Sequence, residues 1–190
     1  MTQTATYTVE AFVDDVKQIF ASTKDPLAQA QGAATQLKKL LAVPGWLEDK
    51  LDIPEEGGYG RFDLHLDEEH GLPGPGFWLM CSVQKDGQES PVHDHGVAWV
   101  VYGVYEGAIE QSKWRWFYKG EGVESTQIKQ YGKFVQNDGS VAFFLPGEIH
   151  KTLNVAGGRS VVVRLESQKL DRITRYQYDP NDNSVKVMDR

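Results

Sequence analysis

The sequence predicts a mainly β protein, a two-sheet sandwich or barrel, with two α-helices at its N-terminus. Beyond Gly57 the chain breaks into short runs rich in Val, Ile, Phe, Tyr and Trp, separated by Gly, Pro, Asn and Asp. This is the texture of strands and turns. No helical pattern interrupts that series, which argues for sheets packed on each other with the helices covering one flank or end. At 190 residues, 40% of them apolar and 11% aromatic, the chain suits one compact domain and is too apolar for disorder.

The elements follow in order. Val9, Phe12, Val13, Val16, Ile19 and Phe20 recur at helical spacing over 9–21, with Thr8 as N-cap. A second helix is predicted over 26–41, with Leu27, Ala30, Ala34, Leu37, Leu40 and Leu41 on one side, ending near Pro44-Gly45. The clearest strands are 77–84, 97–105, 108–118, 126–135, 140–145, 160–166 and 173–178, and His150 opens a further apolar strand after a Pro-Gly turn. Asp67 to Gly76 reads as an exposed, turn-rich loop, and His65 and His70 receive no role.

Charge and composition exclude several functions. A net charge of −7 with scattered Lys and Arg provides no stripe for a phosphate backbone, so no nucleic-acid partner is expected. Residues 1–11 lack a basic flank and an apolar core, and no uncharged run approaches the ~20 residues of a membrane helix. The expectation is a cytoplasmic protein without a membrane partner. Cys81 is the sole cysteine, which fits a reducing compartment, and its apolar surroundings mark it as a structural thiol.

The chemistry lies in the histidines. His93 and His95 stand at i and i+2, so in a strand their imidazoles share one face while Asp94 points away. His150 lies far along the chain within Pro146-Gly147-Glu148-Ile149-His150. A folded sandwich brings it beside the first pair to close a three-nitrogen face on a metal.

Gly87 followed by His93 and His95 resembles the first cupin motif, and Pro146-Gly147 with His150 and Asn154 resembles the second. This resemblance implies a cupin double-stranded β-helix, a jelly-roll-like barrel. It places one domain over 1–190, with a helical segment at 1–50 and the barrel at 57–190. Most cupins add a glutamate ligand beyond three or four intervening residues, where this chain has Trp99 and Val100. Three neutral imidazoles would leave a divalent ion its full charge and favour an anionic ligand such as a thiolate.

That variant is similar to the cysteine dioxygenase family of thiol dioxygenases. Leu79-Met80 through His93-Asp94-His95 to Glu106-Gly107 lies on the family pattern without a gap, and Tyr59-Gly60-Arg61 matches its Tyr-x-Arg. The resemblance implies an Fe(II) enzyme that adds both atoms of O2 to a small carboxylate-bearing thiol, of the cysteine, 3-mercaptopropionate or mercaptosuccinate type, giving the sulfinate. Other divalent metals such as Zn or Ni suit the same ligands. Arg61 is the candidate carboxylate clamp, with Tyr59 beside it.

The chain also departs from that family. The cysteine of its Cys-Tyr crosslink falls on Val100, and its Ser-x-His-x-Tyr triad falls, counted gaplessly from His150, on Val163, Leu165 and Ser167. A one-residue slip of the strand would instead turn Arg164 and Glu166 inward. Arg164 would then be a second carboxylate binder, and Tyr102 is the other phenol able to line the site. No catalytic acid or base is identifiable. The alternatives are a three-histidine cupin of other chemistry, such as a diketone-cleaving dioxygenase, and a non-catalytic metal- or ligand-binding cupin.

Overall fold

The computed structural model describes residues 6–53, 58–119 and 126–188. Helix α1 (Val9–Ser22) starts where Thr8 Oγ1 accepts the Ala11 N–H at 3.2 Å, and α2 (Pro26–Leu41) where Asp25 accepts the Ala28 N–H at 3.0 Å. These caps satisfy N–H groups that a helix start leaves without partners. The buried face of α1 is Val9, Phe12, Val13, Val16 and Phe20. On α2 the face is rotated from the expected stripe: Gln29 and Ala33 are buried, whereas Leu27 is 41% exposed. Gln29 turns inward because its amide oxygen accepts the Trp99 indole N–H at 3.0 Å.

The strands are β1 (Gly60–Leu66), β2 (Trp78–Gln84), β3 (Val92–His93), β4 (Val100–Glu106), β5 (Ala108–Lys119), β6 (Thr126–Asn137), β7 (Val141–Phe144), β8 (Ile149–Asn154), β9 (Ser160–Glu166), β10 (Tyr176–Asp179) and β11 (Ser184–Val187). They form a five-stranded sheet, β1-β2-β9-β4-β7, and a six-stranded sheet, β11-β10-β3-β8-β5-β6, both antiparallel. The mainly β architecture with two N-terminal helices is as expected.

The closed barrel is not. Among the described residues, backbone pairing joins strands only within each sheet, so two separate sheets replace the expected double-stranded β-helix barrel. A barrel requires the hydrogen-bond ladder to continue around every seam. Near the seam between β4 and β6 a side chain intervenes instead: Gln136 donates its amide N–H to the Tyr102 carbonyl at 3.2 Å.

Alternation sorts each strand of the five-stranded sheet into two faces. Leu79, Cys81, Val83, Val101, Val161, Val163 and Leu165 pack with the helices in one core. Val100, Tyr102, Val104 and Val162 face the second sheet, with Phe144 and Ile109, in another. Gly103 lies where α2 presses on β4, since a Cβ there would stand 2.7 Å from Leu41 Cδ1 and 2.9 Å from Leu37 Cδ2. The run Val161-Val162-Val163 is apolar on both faces, so the sequence pattern carries no phase for β9. The ladder sets it: Arg164 opposes Tyr102 of β4 and Met80 of β2.

Candidate metal centre

His93 ends β3 and pairs in register with His150 of β8. His95 lies just past β3, before the turn at Gly96. Tertiary pairing thus joins the two histidine motifs, and one ligand nitrogen from each of His93, His95 and His150 lies within 4.8 Å of the others. All three side chains are buried, at 5%, 0% and 0% exposure.

Hydrogen bonds determine which nitrogens are free. The Pro91 carbonyl can only accept, so His93 donates to it from Nδ1, at 2.9 Å, and keeps a lone pair on Nε2. For His150 a chain of amides performs the same task. The Tyr102 carbonyl accepts from Gln136 Nε2, Gln136 Oε1 accepts from Gln111 Nε2 at 3.0 Å, and Gln111 Oε1 therefore accepts His150 Nδ1–H at 2.9 Å. This leaves the Nε2 lone pair of His150 free. A donor–acceptor chain anchored on a backbone carbonyl assigns the tautomer in this way.

The Nε2 atoms of His95 and His150 are 3.2 Å apart, and Tyr102 Oη lies 3.1 Å and 3.4 Å from them. Two nitrogens each about 2.1 Å from a common ion stand about 3.0 Å apart at a right angle and about 3.4 Å apart at the tetrahedral angle. The observed spacing lies between these. The residues present therefore fit a divalent metal ion.

Electrostatics keep the rings neutral. Burial lowers the pKa of His93 from the usual 6.5 to about 4, and the nearby Arg164, Arg175 and Arg61 add to the effect. Burial likewise holds His95 and His150 well below the usual value, helped by the other imidazoles and Arg164. Neutral imidazole is the form that binds metal, so no proton competes near neutral pH. Burial also raises the Tyr102 phenol, keeping Oη protonated beside the ligand nitrogens.

A cavity of about 330 Å³ has His93 and Tyr102 on its wall, together with Arg61, Arg164 and Arg175. Arg61, on edge strand β1, is exposed toward solvent and makes no ion pair among the described residues. Tyr59 is on the surface, 47% exposed, with Lys85 Nζ 5.2 Å from its ring centroid. Arg164 faces inward: Nη2 meets Glu166 Oε1 at 2.7 Å, and its guanidinium lies 5.3 Å from the Tyr102 ring centroid. Val163 and Leu165 face the helices, and Ser167 donates to the Leu72 carbonyl and accepts the Trp99 N–H. The inward positions of β9 are therefore those of the slipped register.

Three contributors escape sequence reasoning. Arg175 falls inside the expected 173–178 strand, but the strand begins only at Tyr176, and nothing in the neighbouring residues marks Arg175 as facing a cavity. Gln111 and Gln136 sit in long strands among other polar residues, where nothing marks them as buried. Asp94, expected to point away from the metal, does so, and its carboxylate accepts from the Gly96 and Tyr176 N–H groups at 2.8 and 3.1 Å and from the Tyr178 hydroxyl. It thereby ties the histidine strand to the segment bearing Arg175. No helix among the described residues is long and apolar enough to cross a membrane.

No protein-family model matches the sequence, and no curated protein matches it. Among solved structures the chain is similar to a cupin domain from Schizosaccharomyces pombe, at 12% identity and TM-score 0.45 over 67% of this chain and 70% of that one. It is also similar to an oxalate oxidase in complex with the substrate analogue glycolate, at 18% and 0.44 over 64% of this chain and 57% of the other. KdgF from Halomonas sp. gives 14% and 0.44 over 66% and 94%. At this distance such likenesses say nothing of substrate or reaction, and what is established is a buried three-histidine site, between two β-sheets, able to hold a divalent ion.

Proposed function

We propose that this chain is a divalent-metal enzyme acting on a small carboxylate-bearing molecule. The observation that carries the reading is a cluster of three neutral imidazoles, one of which, His93, lines a cavity whose wall also bears three arginines. Glu89, the one acidic residue lining the cavity among those described, is engaged by Lys151 at 2.6 Å. The site is therefore strongly cationic and selects anions. When bound, a divalent ion held by three imidazoles supplies a Lewis acid with open positions and, if it is iron, redox reactivity toward O2.

The protein's own groups supply the rest. In this reading Arg61, on the cavity wall, binds a carboxylate in two-point fashion and fixes the substrate's orientation. Tyr102 Oη holds a proton beside the ligand nitrogens, and Phe144, Val100, Val104 and Leu170 close the inner space to water.

Within that reading, the reaction favoured is oxidation of a thiol by O2 at Fe(II), with both oxygen atoms entering the product sulfinate. What supports it is the absence of any carboxylate from the ligand set, which suits a thiolate, and the lack of an unpaired carboxylate on the wall to activate water for hydrolysis. The test is metal analysis of protein purified without chelator, followed by oxygen uptake with cysteine, 3-mercaptopropionate, mercaptosuccinate and acetylacetone. Stoichiometric iron with thiol-dependent uptake and a sulfinate product is expected. Uptake with acetylacetone alone replaces the thiol reaction by diketone cleavage, and bound metal with no turnover of any substrate leaves a non-catalytic binding protein.

A further inference from the structure

We propose that Arg164 and Arg175 form a second anion subsite, so that the ligand of this cavity is a small dicarboxylate, with one carboxylate held by Arg61 and the other by the Arg164–Arg175 pair. The proposal rests on the cavity being a substrate site and adds the charge and shape of what it holds.

The two arginines come from opposite sheets. Arg164 is an inward residue of β9, its side chain 13% exposed, fixed through Nη2 by Glu166 and lying over the Tyr102 ring. Glu166 is itself occupied, since its second oxygen accepts the Leu170 N–H at 2.8 Å. The Nε–H of Arg164 is nevertheless buried without a partner, and a buried donor in that state points to a ligand atom.

Arg175 is held from the other side. Its neighbour Tyr176 donates its N–H to Asp94, and the Arg175 carbonyl accepts the Met188 N–H at 2.9 Å. Among the described residues the guanidinium hydrogen-bonds only to a thioether, Met188 Sδ at 3.1 Å, a weak acceptor. No carboxylate pairs with Arg175 among the described residues.

Arg61 stands apart from this pair. It opposes Ser82 of β2, and Ser82 opposes Val162 of β9, one inward position from Arg164. The backbones of Arg61 and Arg164 are therefore separated by two strand spacings, about 10 Å, and by about 7 Å along the strands. That span suits two anionic groups on one short carbon chain better than a single group shared by both. Three guanidiniums facing one small volume, with Glu166 compensating one of them, also leave positive charge that a monocarboxylate would not neutralise. A volume near 330 Å³ lies at the small end of ligand cavities, which suits a small molecule.

The test is calorimetric titration of the metal-loaded protein with succinate, propionate and inorganic phosphate, repeated after the metal is stripped. Succinate is expected to bind about 30-fold more tightly than propionate, the effect of one further charge-assisted contact. The preference should persist without metal. Arg175→Met should reduce it to within about threefold, and Arg61→Met should weaken both carboxylates. Arg164→Met is the companion variant, but it strands Glu166, so Arg175→Met carries the decision. Equal binding of succinate and propionate, a preference unchanged in Arg175→Met, or phosphate binding more tightly than succinate would each overturn the proposal. Selective succinate binding without turnover of any substrate would defeat the enzyme reading and leave the subsite standing, whereas turnover of thiols without that selectivity would do the reverse.

Discussion

Gly147 donates its backbone N–H to the Gly96 carbonyl at 2.9 Å, joining the turn after His95 to the turn before His150. With the pairing of His93 and His150, this bond holds two distant stretches of chain at one point. Gly96 has φ +58°, and a Cβ there would lie 2.1 Å from the Thr174 carbonyl oxygen, a backbone atom with no freedom to yield. Gly96→Ala is therefore expected to cost about 1–3 kcal/mol of stability. It should also weaken metal binding, because His95 and the segment bearing Arg175 must part. Urea unfolding and a chelator competition titration check the two effects.

Gln111 orients His150. In Gln111→Met the shape is kept, but His150 Nδ1 loses its acceptor and Gln136 its donor. Metal affinity should fall about 10–100-fold, the usual effect of removing such an orienting partner. An unchanged affinity would show that the amide chain does not orient the ring.

Arg61→Met should raise the KM for a carboxylate-bearing substrate about 10–100-fold while changing kcat less, because the contact forms in both the bound and the reacting state. Unchanged steady-state kinetics would remove Arg61 from substrate binding.

Asp67 gives the fold an acid-sensitive joint. Burial by itself would raise its pKa, but the backbone N–H groups of His70 and Glu69, the His70 ring and Lys17 outweigh it and hold the carboxyl well below its usual range. The side chain is 6% exposed, and the Lys17 contact, at 3.2 Å, fastens α1 to the end of β1. A depressed carboxyl stabilises the fold above the unfolded-state value near 4 and loses that contribution as the pH falls below it. Asp67→Asn should thus be less stable at pH 7 by about 1–3 kcal/mol, and its gap from the wild type should narrow as pH falls from 5 to 3. A gap independent of pH in urea unfolding would assign the effect to packing.

Trp99 is fully buried, with its ring centroid 5.7 Å from that of Phe20 and its indole N–H on Gln29. Trp99→Ala should cost about 3–5 kcal/mol. Gln29→Leu, which strands the indole donor, should cost about 1–3 kcal/mol. Thermal unfolding measures both, and a near-neutral Gln29→Leu would show that water replaces the amide.

Much of the secondary structure was legible locally. The caps Thr8 and Asp25 and the periodic face of α1 place the helices, because capping and amphipathicity act within a few residues. The 160–166 strand is reproduced without change as β9, and 108–118 extends by one residue. Edge strands β1 and β11 were not legible, since four to seven residues with mixed polarity carry little pattern, and the strand read at His93–His95 proves to end at His93 as the two-residue β3. Likewise, the α2 face could not be read correctly, because the partner that buries Gln29 lies 70 residues away.

The sequence by itself determined that His93, His95 and His150 are the residues of a metal-binding chemistry and that the body of the chain is β. Residue type and spacing express both. Only the tertiary structure decided that the strands form two separate sheets rather than a closed barrel, that Arg164 turns inward opposite Tyr102, and that Arg175 joins it from the other sheet. The physical reason is register. In a run such as Val161-Val162-Val163 either phase buries apolar side chains equally well locally, so only pairing with β2 and β4 selects the phase that points a charged side chain at the metal site.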